Sequence, residues 1–348
     1  MSAPELDERK AAILRAVVEE YVETAQPVGS QAIARSSGLG VSSATVRNEM
    51  TVLEREGYLV QPHTSAGRVP TDRGYRFFVD HFTRQDALPA VQHRAVSEFF
   101  ASAHQALEEL LHETSGLLSR VSQHAAVVVG PQPAEAEVRS VQLVPLQPGV
   151  VLLVVVLSTG VVEKHVLALD GATDGRGVDV LPDDALVAAA NVVLDNQLRG
   201  HPWSSLPTMQ ASGDAAIDEV TALARDALTG LAGGESVEPL YVGGVSRLAA
   251  EHEAFATTES AARLLEMLEH HVVVVSLVRE LLDAGLAVSI GTENRLDELR
   301  DCSIVVSPFE VDGQPIGIVG VLGPTRMDYR HALAAVAAVS QQLGRHLS

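Results

Sequence analysis

Near the N-terminus the apolar positions recur at helical spacing three times, and turn-forming residues close each run. Ile13, Leu14, Val17, Val18, Tyr21 and Val22 make a double row on one face, which predicts a helix that begins near Leu6 and Asp7 and stops at Gln26, Pro27 and Gly29. A short helix over 30–37 comes next, and Gly38 with Gly40 lets the chain turn sharply. The third helix is expected over 43–56. Ser42 and Ser43 offer side-chain oxygens to the free N–H groups of its first turn, and Gly57 supplies a left-handed stop. With Met50 on the buried face, Val46, Leu53 and Gly57 fall beside it, while Ala44, Thr45, Asn48, Thr51 and Arg55 lie opposite and Arg47 sits on the flank. A strand at 58–60 leads into the loop His63, Thr64, Ser65, Ala66, Gly67 and Arg68, held between Pro62 and Pro70. Thr71 is then placed to cap a helix bearing Tyr75, Phe78, Val79 and Phe82.

Residues 85–89 break the pattern, and 90–124 reads as helix again, with Gly116 as the candidate break. From Ala125 the period changes. Four β-branched runs, AAVVVG, VRSVQLVPL, VVLLVVVL and VVEKHVLAL, separated by PQP, QPG and STG turns, predict one sheet. Helical segments over 184–198 and 215–231 follow, with the lone Trp203 in the connection between them. Then come a strand in PLYVGGVSRL, a helical stretch over 259–284, and strands in LAVSI, CSIVVSPFEV and QPIGIVGVLG. Asp312 and Gly313 are a hairpin signal, and a last helix runs from Asp328 to about Leu347. A sheet that starts before 170 and finishes after 285, with a mainly helical block between, predicts an α+β domain interrupted by an insertion. Seven of the 13 aromatic residues lie between 58 and 100, which predicts a stiff joint between head and body, although ordinary core filling accounts for them as well.

The 348 residues, 46% hydrophobic, suffice for two or three domains. No apolar run reaches the ~17 to 25 residues of a membrane span, and 150–157, the longest, is a buried strand by length. The start, MSAPELDERK, has no apolar signal region, so a cytoplasmic protein is expected. A single cysteine, Cys302, excludes an internal disulfide framework and a cysteine-rich zinc site. No G-x-S-x-G elbow, phosphate loop or H-E-x-x-H is present, and His270 and His271, being adjacent, point apart on a helix. No enzyme, metal or cofactor is therefore expected.

The net charge of −20 runs against nucleic acid until it is divided along the chain. Residues 1–84 hold 10 basic and 11 acidic side chains, and 35–84 hold seven basic against five acidic, so the acid lies in the remainder. Such a body repels random DNA, which leaves binding to a few well-placed contacts and to two copies acting together.

Those contacts are predicted on the third helix and the loop. A recognition helix meets base edges with its first turns, and its dipole favours phosphates there. Thr45 and Asn48 are expected to read bases and Arg47 to reach a base or a phosphate, while Ser42, Ser43, Ala44 and Thr51 share the same surface. Arg35, His63, Thr64, Ser65 and Arg68 are expected to position the phosphate backbone, with Gly67 giving the loop its freedom. Helices at this spacing followed by such a loop predict a winged helix-turn-helix, a module that also binds proteins.

The run TVRNEM, followed by GYLVQPHTSAGRVPTDRGYRFFVD, closely resembles the N-terminal signature of the HrcA family of bacterial heat-inducible transcription repressors. IGTEN at 290–294 and GVLGPTRMDY at 320–329 look like the family's C-terminal motifs, and the middle is similar only loosely, through YVGG at 241–244. The resemblance implies a homodimer that binds the CIRCE inverted-repeat operator upstream of chaperone genes, loses activity on heating and has it restored by the GroE chaperonin. It implies an α+β fold with a winged helix-turn-helix at 1–84 and a GAF-like sheet domain interrupted by a mainly helical inserted dimerisation domain. Coupling helices and the first part of the sheet domain are expected at 85–175, the insertion at 176–250, and the second part of the sheet domain at 251–348.

Two other readings stand beside this one. The alternatives are a metabolite-sensing winged-helix transcription factor, with Glu293, Asn294, Thr325, Arg326 and Tyr329 converging on a small ligand, and an interaction adaptor whose winged head never touches DNA. The same five residues serve as well to hold turns, with Thr325 capping the last helix and Arg326 pairing with an acid. That structural role is the expected one, because fold analogy is a weak warrant for a ligand.

Overall fold

In the computed structural model the described residues are 6–36, 38, 40–63, 66–83, 87–131, 136–147, 149–169, 173–174, 178–179, 184–233, 238–246, 258–285 and 287–348. They make a mixed α and β protein with several antiparallel sheets. In chain order the elements are α1 (Glu8–Thr24), α2 (Ser30–Ser36), α3 (Ser43–Arg55), β1 (Leu59–Val60), β2 (Val69–Pro70), α4 (Asp72–Phe82), α5 (Ala90–Ser102), α6 (Leu107–Ser122) and β3 (Ala125–Val129). There follow β4 (Val138–Gln147), β5 (Val150–Leu157), β6 (Val162–Ala168), β7 (Thr173–Asp174), β8 (Val178–Asp179), α7 (Asp184–Leu198) and α8 (Ala215–Ala232). The chain closes with β9 (Leu240–Gly243), α9 (Thr258–Glu269), α10 (His271–Asp283), β10 (Val288–Ile290), β11 (Cys302–Val311), β12 (Gln314–Pro324) and α11 (Tyr329–Leu347).

The chain forms two compact units. One gathers Met1–His104, Leu111–Val128 and Leu240–Ser348; the other gathers Gln105–Leu110 and Val129–Pro239. At the head of the first, Ile13, Leu14, Val17 and Val18 of α1 pack with Ile33, Val46, Met50 and Leu53 in a fully apolar centre. Each such side chain contributes ~1.5 to 3 kcal/mol when removed from water, which is why helices this short hold together. Asp7 caps α1 by accepting from Lys10 N at 2.9 Å, and Thr71, as predicted, caps α4 by accepting from Gly74 N at 3.2 Å.

The body of the first unit is a five-stranded sheet of order β10-β11-β12-β3-β9. The β11–β12 hairpin turns at Asp312 and Gly313, with φ of 52° and 77°, the left-handed pair that a two-residue turn requires. Asp328 caps α11 by accepting from His331 N at 3.1 Å. The expected cap, Thr325, lies too early; its carbonyl instead accepts from the Tyr329 hydroxyl at 2.7 Å.

Three expectations are corrected. Residues 125–169 do not make one sheet: β3 joins the C-terminal strands, and β4, β5 and β6 form their own meander in the other unit. The reason is visible in burial. All five residues of β3 are buried, as in a strand covered on both faces, whereas β5 alternates buried and half-buried positions. The second compact unit, Gln105–Leu110 with Val129–Pro239, thus takes in β4, β5 and β6 together with the helices that follow them. The helical stretch 90–124 breaks at 103–106 and not at Gly116, because the Ser102 hydroxyl turns back onto the carbonyls of Glu98 and Phe99, and Ala103 is extended. The stretch 259–284 is two helices, parted at His270 with φ −90° and ψ 74°.

In the second unit β4, β5, α7 and α8 enclose Leu143, Leu153, Leu194, Leu228 and the wholly buried Trp203. The amide of Asn191 on α7 accepts from Leu143 N at 2.6 Å and donates to Leu143 O at 2.9 Å, so α7 satisfies the edge of β4 as a further strand would.

Candidate nucleic-acid interface

Helix α3 is held by its ends and its back. Ser42 Oγ accepts from Thr45 N at 3.2 Å and lies 3.0 Å from Thr45 Oγ1, so these two hydroxyls form the N-terminal cap. At the other end Gly57 is left-handed with φ of 81°, as predicted. There Arg73 donates to Glu56 O at 2.9 Å, and its guanidinium carbon lies 4.5 Å from the centre of the Tyr58 ring, a cation placed where the helix dipole favours one. Val46, Met50 and Leu53 face inward.

The outward row is Ala44, Arg47, Asn48, Thr51 and Arg55, all exposed. Thr45 is half-buried, and Thr51 Oγ1 donates to Arg47 O at 2.9 Å. The acids of α3 and its cap turn back onto the head: Glu49 stands 3.9 Å from Arg9, Glu56 is 4.0 Å from Lys10, and Glu54 is 2.9 Å from Arg68. The outward row thus carries two guanidinium groups and an amide with no carboxylate among them. Among the described residues, the side chains of Arg47 and Asn48 have no hydrogen bond or ion pair with the protein. Arg35, at the end of α2, is exposed as well.

The ribbon β1–β2 lies next to α3. Leu59 pairs with Pro70 and Val60 with Val69, and Val28 extends the ribbon by exchanging two 2.9 Å hydrogen bonds with Arg68. This exchange explains Gly67: an added Cβ would overlap the Val28 carbonyl, so the glycine serves close approach and not the loop freedom expected of it. His63 is exposed, and Gln61 closes the loop by donating to Ala66 O at 2.9 Å. Thr64 and Ser65 lie outside the described residues.

Arg68 is placed otherwise than expected. Its Nε and Nη2 both reach Glu54 Oε2 at 2.9 Å, and its side chain is 16% exposed, so it fastens the ribbon to α3 and does not stand free for a phosphate. The sequence contains both partners but not the fold that brings Glu54 to Arg68.

The five polar residues of the C-terminal motifs are occupied within the protein. Buried Asn294 donates to Gly291 O, Leu299 O and Cys302 O at 3.0, 2.9 and 2.9 Å and accepts from Ser289 Oγ at 2.7 Å. Glu293 accepts from Ile290 N at 2.9 Å and pairs with Arg76. Arg326 donates to Val22 O at 3.1 Å, so its partner is a carbonyl and not the expected acid. Tyr329 is buried, lies 2.7 Å from Ser303 Oγ and has its phenol pushed up chiefly by burial. They hold turns and join elements, as the structural reading expected, and do not converge on a common cavity.

No helix among the described residues is long and apolar enough to cross a membrane. A family model for the HrcA protein C terminal domain matches residues 108–333. The chain is 36% identical over 343 residues to the heat-inducible transcription repressor HrcA of Nocardia farcinica, covering 98% of this chain and 97% of that one. It is 39% identical over 350 residues to the repressor of the same name from Kineococcus radiotolerans, covering 98% and 99%. A solved structure titled only as a hypothetical protein superposes with a TM-score of 0.67 at 23% identity, over 99% of both chains, which shows the fold. By class, then, the molecule is a transcription repressor. It belongs to the HrcA family of heat-inducible transcription repressors, whose function is the negative regulation of heat-shock genes.

Proposed function

We propose that residues 1–84 act as a winged helix-turn-helix, with α3 in the major groove of a CIRCE-type palindromic operator and the ribbon beside it as the wing. The observation that carries this reading is the sorting of charge on α3. Its acids face back toward Arg9, Lys10 and Arg68, while Ala44, Arg47, Asn48 and Thr51 face out. Asn48 reads adenine through its amide, Arg47 meets guanine or a phosphate, and Ala44 with Thr51 meets thymine methyl groups. Ser42, Ser43 and Thr45 build and cap the helix start, which faces a phosphate with free N–H groups. Arg35 and His63, with Thr64 and Ser65, track the backbone.

The reading extends to assembly. Two chains bind as a homodimer, each head taking one half of the inverted repeat, and occupancy of the operator blocks transcription of chaperone genes in the cytoplasm. The five-stranded sheet with its helices is read as the GAF-like domain and the second compact unit as the inserted dimerisation domain. Heating dissolves the binding-competent arrangement, and the GroE chaperonin restores it.

The test is binding of the purified protein to a labelled CIRCE-like palindrome and to a scrambled duplex across a salt series, with and without chaperonin. Selective binding that falls with salt and strengthens with chaperonin is expected. Equal or absent binding by folded, dimeric protein overturns the reading in favour of an adaptor whose head does not touch DNA.

A further inference from the structure

Helix α4 follows the ribbon, and one of its faces carries Asp72 and Arg76 four residues apart. Both reach into the same short segment, 288–293, which comprises β10 and the turn after it. The Asp72 carboxylate accepts from Thr292 N at 2.9 Å and from Thr292 Oγ1 at 2.8 Å. Arg76 donates from Nε to Glu293 Oε1 at 2.8 Å, pairs a second time with Glu293 through Nη2, and donates from Nη2 to Val288 O at 2.8 Å. This is a two-pronged guanidinium–carboxylate pair, the geometry that fixes direction as well as distance.

Every residue of the IGTEN motif has a part in that contact. Ile290 is wholly buried, and its N–H donates to Glu293 Oε2 at 2.9 Å. Gly291 is left-handed, with φ of 54°, and an added Cβ there would overlap the Asp72 carboxylate, so glycine is required on both counts. Thr292 supplies two donors and Glu293 the acceptors, while Asn294 ties the segment to the sheet through its four hydrogen bonds. A second set of contacts comes from the GPTRMDY motif and the residue after it. Arg326 donates to Val22 O at 3.1 Å, and Arg330 pairs with Glu19 at 2.8 Å and lies 5.1 Å from the centre of the Phe78 ring. The two motifs therefore grip α4 and α1 of the head from the sheet body.

We propose that Asp72, Arg76, Thr292, Glu293 and Arg326 are positioning residues for operator recognition: they set the direction in which α3 leaves the body, and so the half-site spacing that a two-headed repressor accepts. This rests on the reading of the head as one half of a dimeric DNA binder. None of the five touches DNA; they act by making the second head's binding an intramolecular step, an advantage that is lost when geometry is loose. A fixed head binds a single half-site no better than a free one.

The test uses the full-length chain and two readouts. In the first, spin labels are placed at Gln31→Cys and Gln314→Cys, both exposed positions, and their separation is measured without DNA. The native Cys302 is buried with its thiol pushed up to about 12, chiefly by burial, so it stays unlabelled. Glu293→Ala is expected to broaden a narrow distance distribution, and the exposed, milder Thr292→Val to broaden it less. In the second, affinity is measured for one half-site, for the palindrome, and for palindromes with altered spacers. Glu293→Ala is expected to cost about tenfold or more on the palindrome, to leave the half-site unchanged and to flatten the dependence on spacer length. An unchanged distribution, or equal losses on half-site and palindrome, overturns the positioning role. Failure of the unsubstituted chain to bind any of these duplexes, with a narrow distribution, overturns the DNA-binding reading and leaves the docking intact.

Discussion

The head presents two rows of polar side chains, and they differ in where their hydrogen bonds go. On α3, the side chains of Arg47 and Asn48 are exposed and find no partner among the described residues. On α4, Asp72 and Arg76 are committed to Thr292 and Glu293. Sequence pattern treats the two rows alike, since each lies on the polar face of an amphipathic helix. The structure separates them by whether the protein already answers their donors. A polar row left unanswered is a surface for a ligand, and a polar row answered is a joint. Arg68 moves from the first kind to the second on this ground, because Glu54 answers it.

The largest expected effect sharpens the comparison from the committed side. His124, beside Gly323 in the sheet body, is held down to about 4 from an ordinary 6.5, chiefly by burial and then by the neighbouring His331. The folded chain therefore takes up this proton only near pH 4, while the unfolded chain takes it up below 6.5. Stability is full above about pH 6.5 and is lost as pH falls toward 4, by on the order of 3 kcal/mol. Chemical denaturation across that window measures it, and His124→Phe is expected to flatten the slope. A slope unchanged by the substitution removes His124 from the account.

Next in size is Gly291→Ala. The added methyl meets the Asp72 carboxylate and the backbone is left-handed, so a loss of about 1 to 3 kcal/mol in thermal unfolding is expected. If the substitution is neutral, the docking of α4 on the IGTEN segment is not as tight as its geometry. Arg68→Ala should cost about 1 kcal/mol of stability and leave the salt dependence of DNA binding unchanged, since its partner is Glu54 and not a phosphate. A salt slope flatter by about one unit would return Arg68 to the DNA-facing row. The smallest effect is at Tyr75, whose buried hydroxyl has no hydrogen bond among the described residues. Tyr75→Phe is expected to be neutral or to stabilise by up to ~1 kcal/mol, because no bond is broken and a stranded polar group is removed.

Much of the head was legible in advance because its signals are local. A capping serine at 42, a stripe of Val46, Met50 and Leu53, and Gly57 as a stop lie within one helix, and the structure places that helix within a residue of its expected end. The hairpin at Asp312 and Gly313 is local in the same sense. What was not legible depends on residues far apart in the chain. The 217-residue separation of Arg76 from Glu293 leaves no spacing signal. The division of 125–169 between two sheets was missed for a related reason. β-Branched runs announce strands, but partner choice is decided by which faces the rest of the chain covers, and only the unbroken apolar run of β3 against the alternation of β4 hinted at it. Gly67 reads as a flexible point, yet it permits a close approach to Val28 O, as Gly74 does to Tyr58 O, and no local pattern encodes either.

The claim on which the rest depends is that the unanswered row of α3 reads bases. It is tested most directly by measuring the affinity of the unsubstituted chain and of Asn48→Ala for a set of operators that differ by single base pairs. The account predicts that discrimination at one base-pair position falls by ~1 to 3 kcal/mol in the variant while the order at all other positions is kept. The same ranking of operators by both proteins would contradict it.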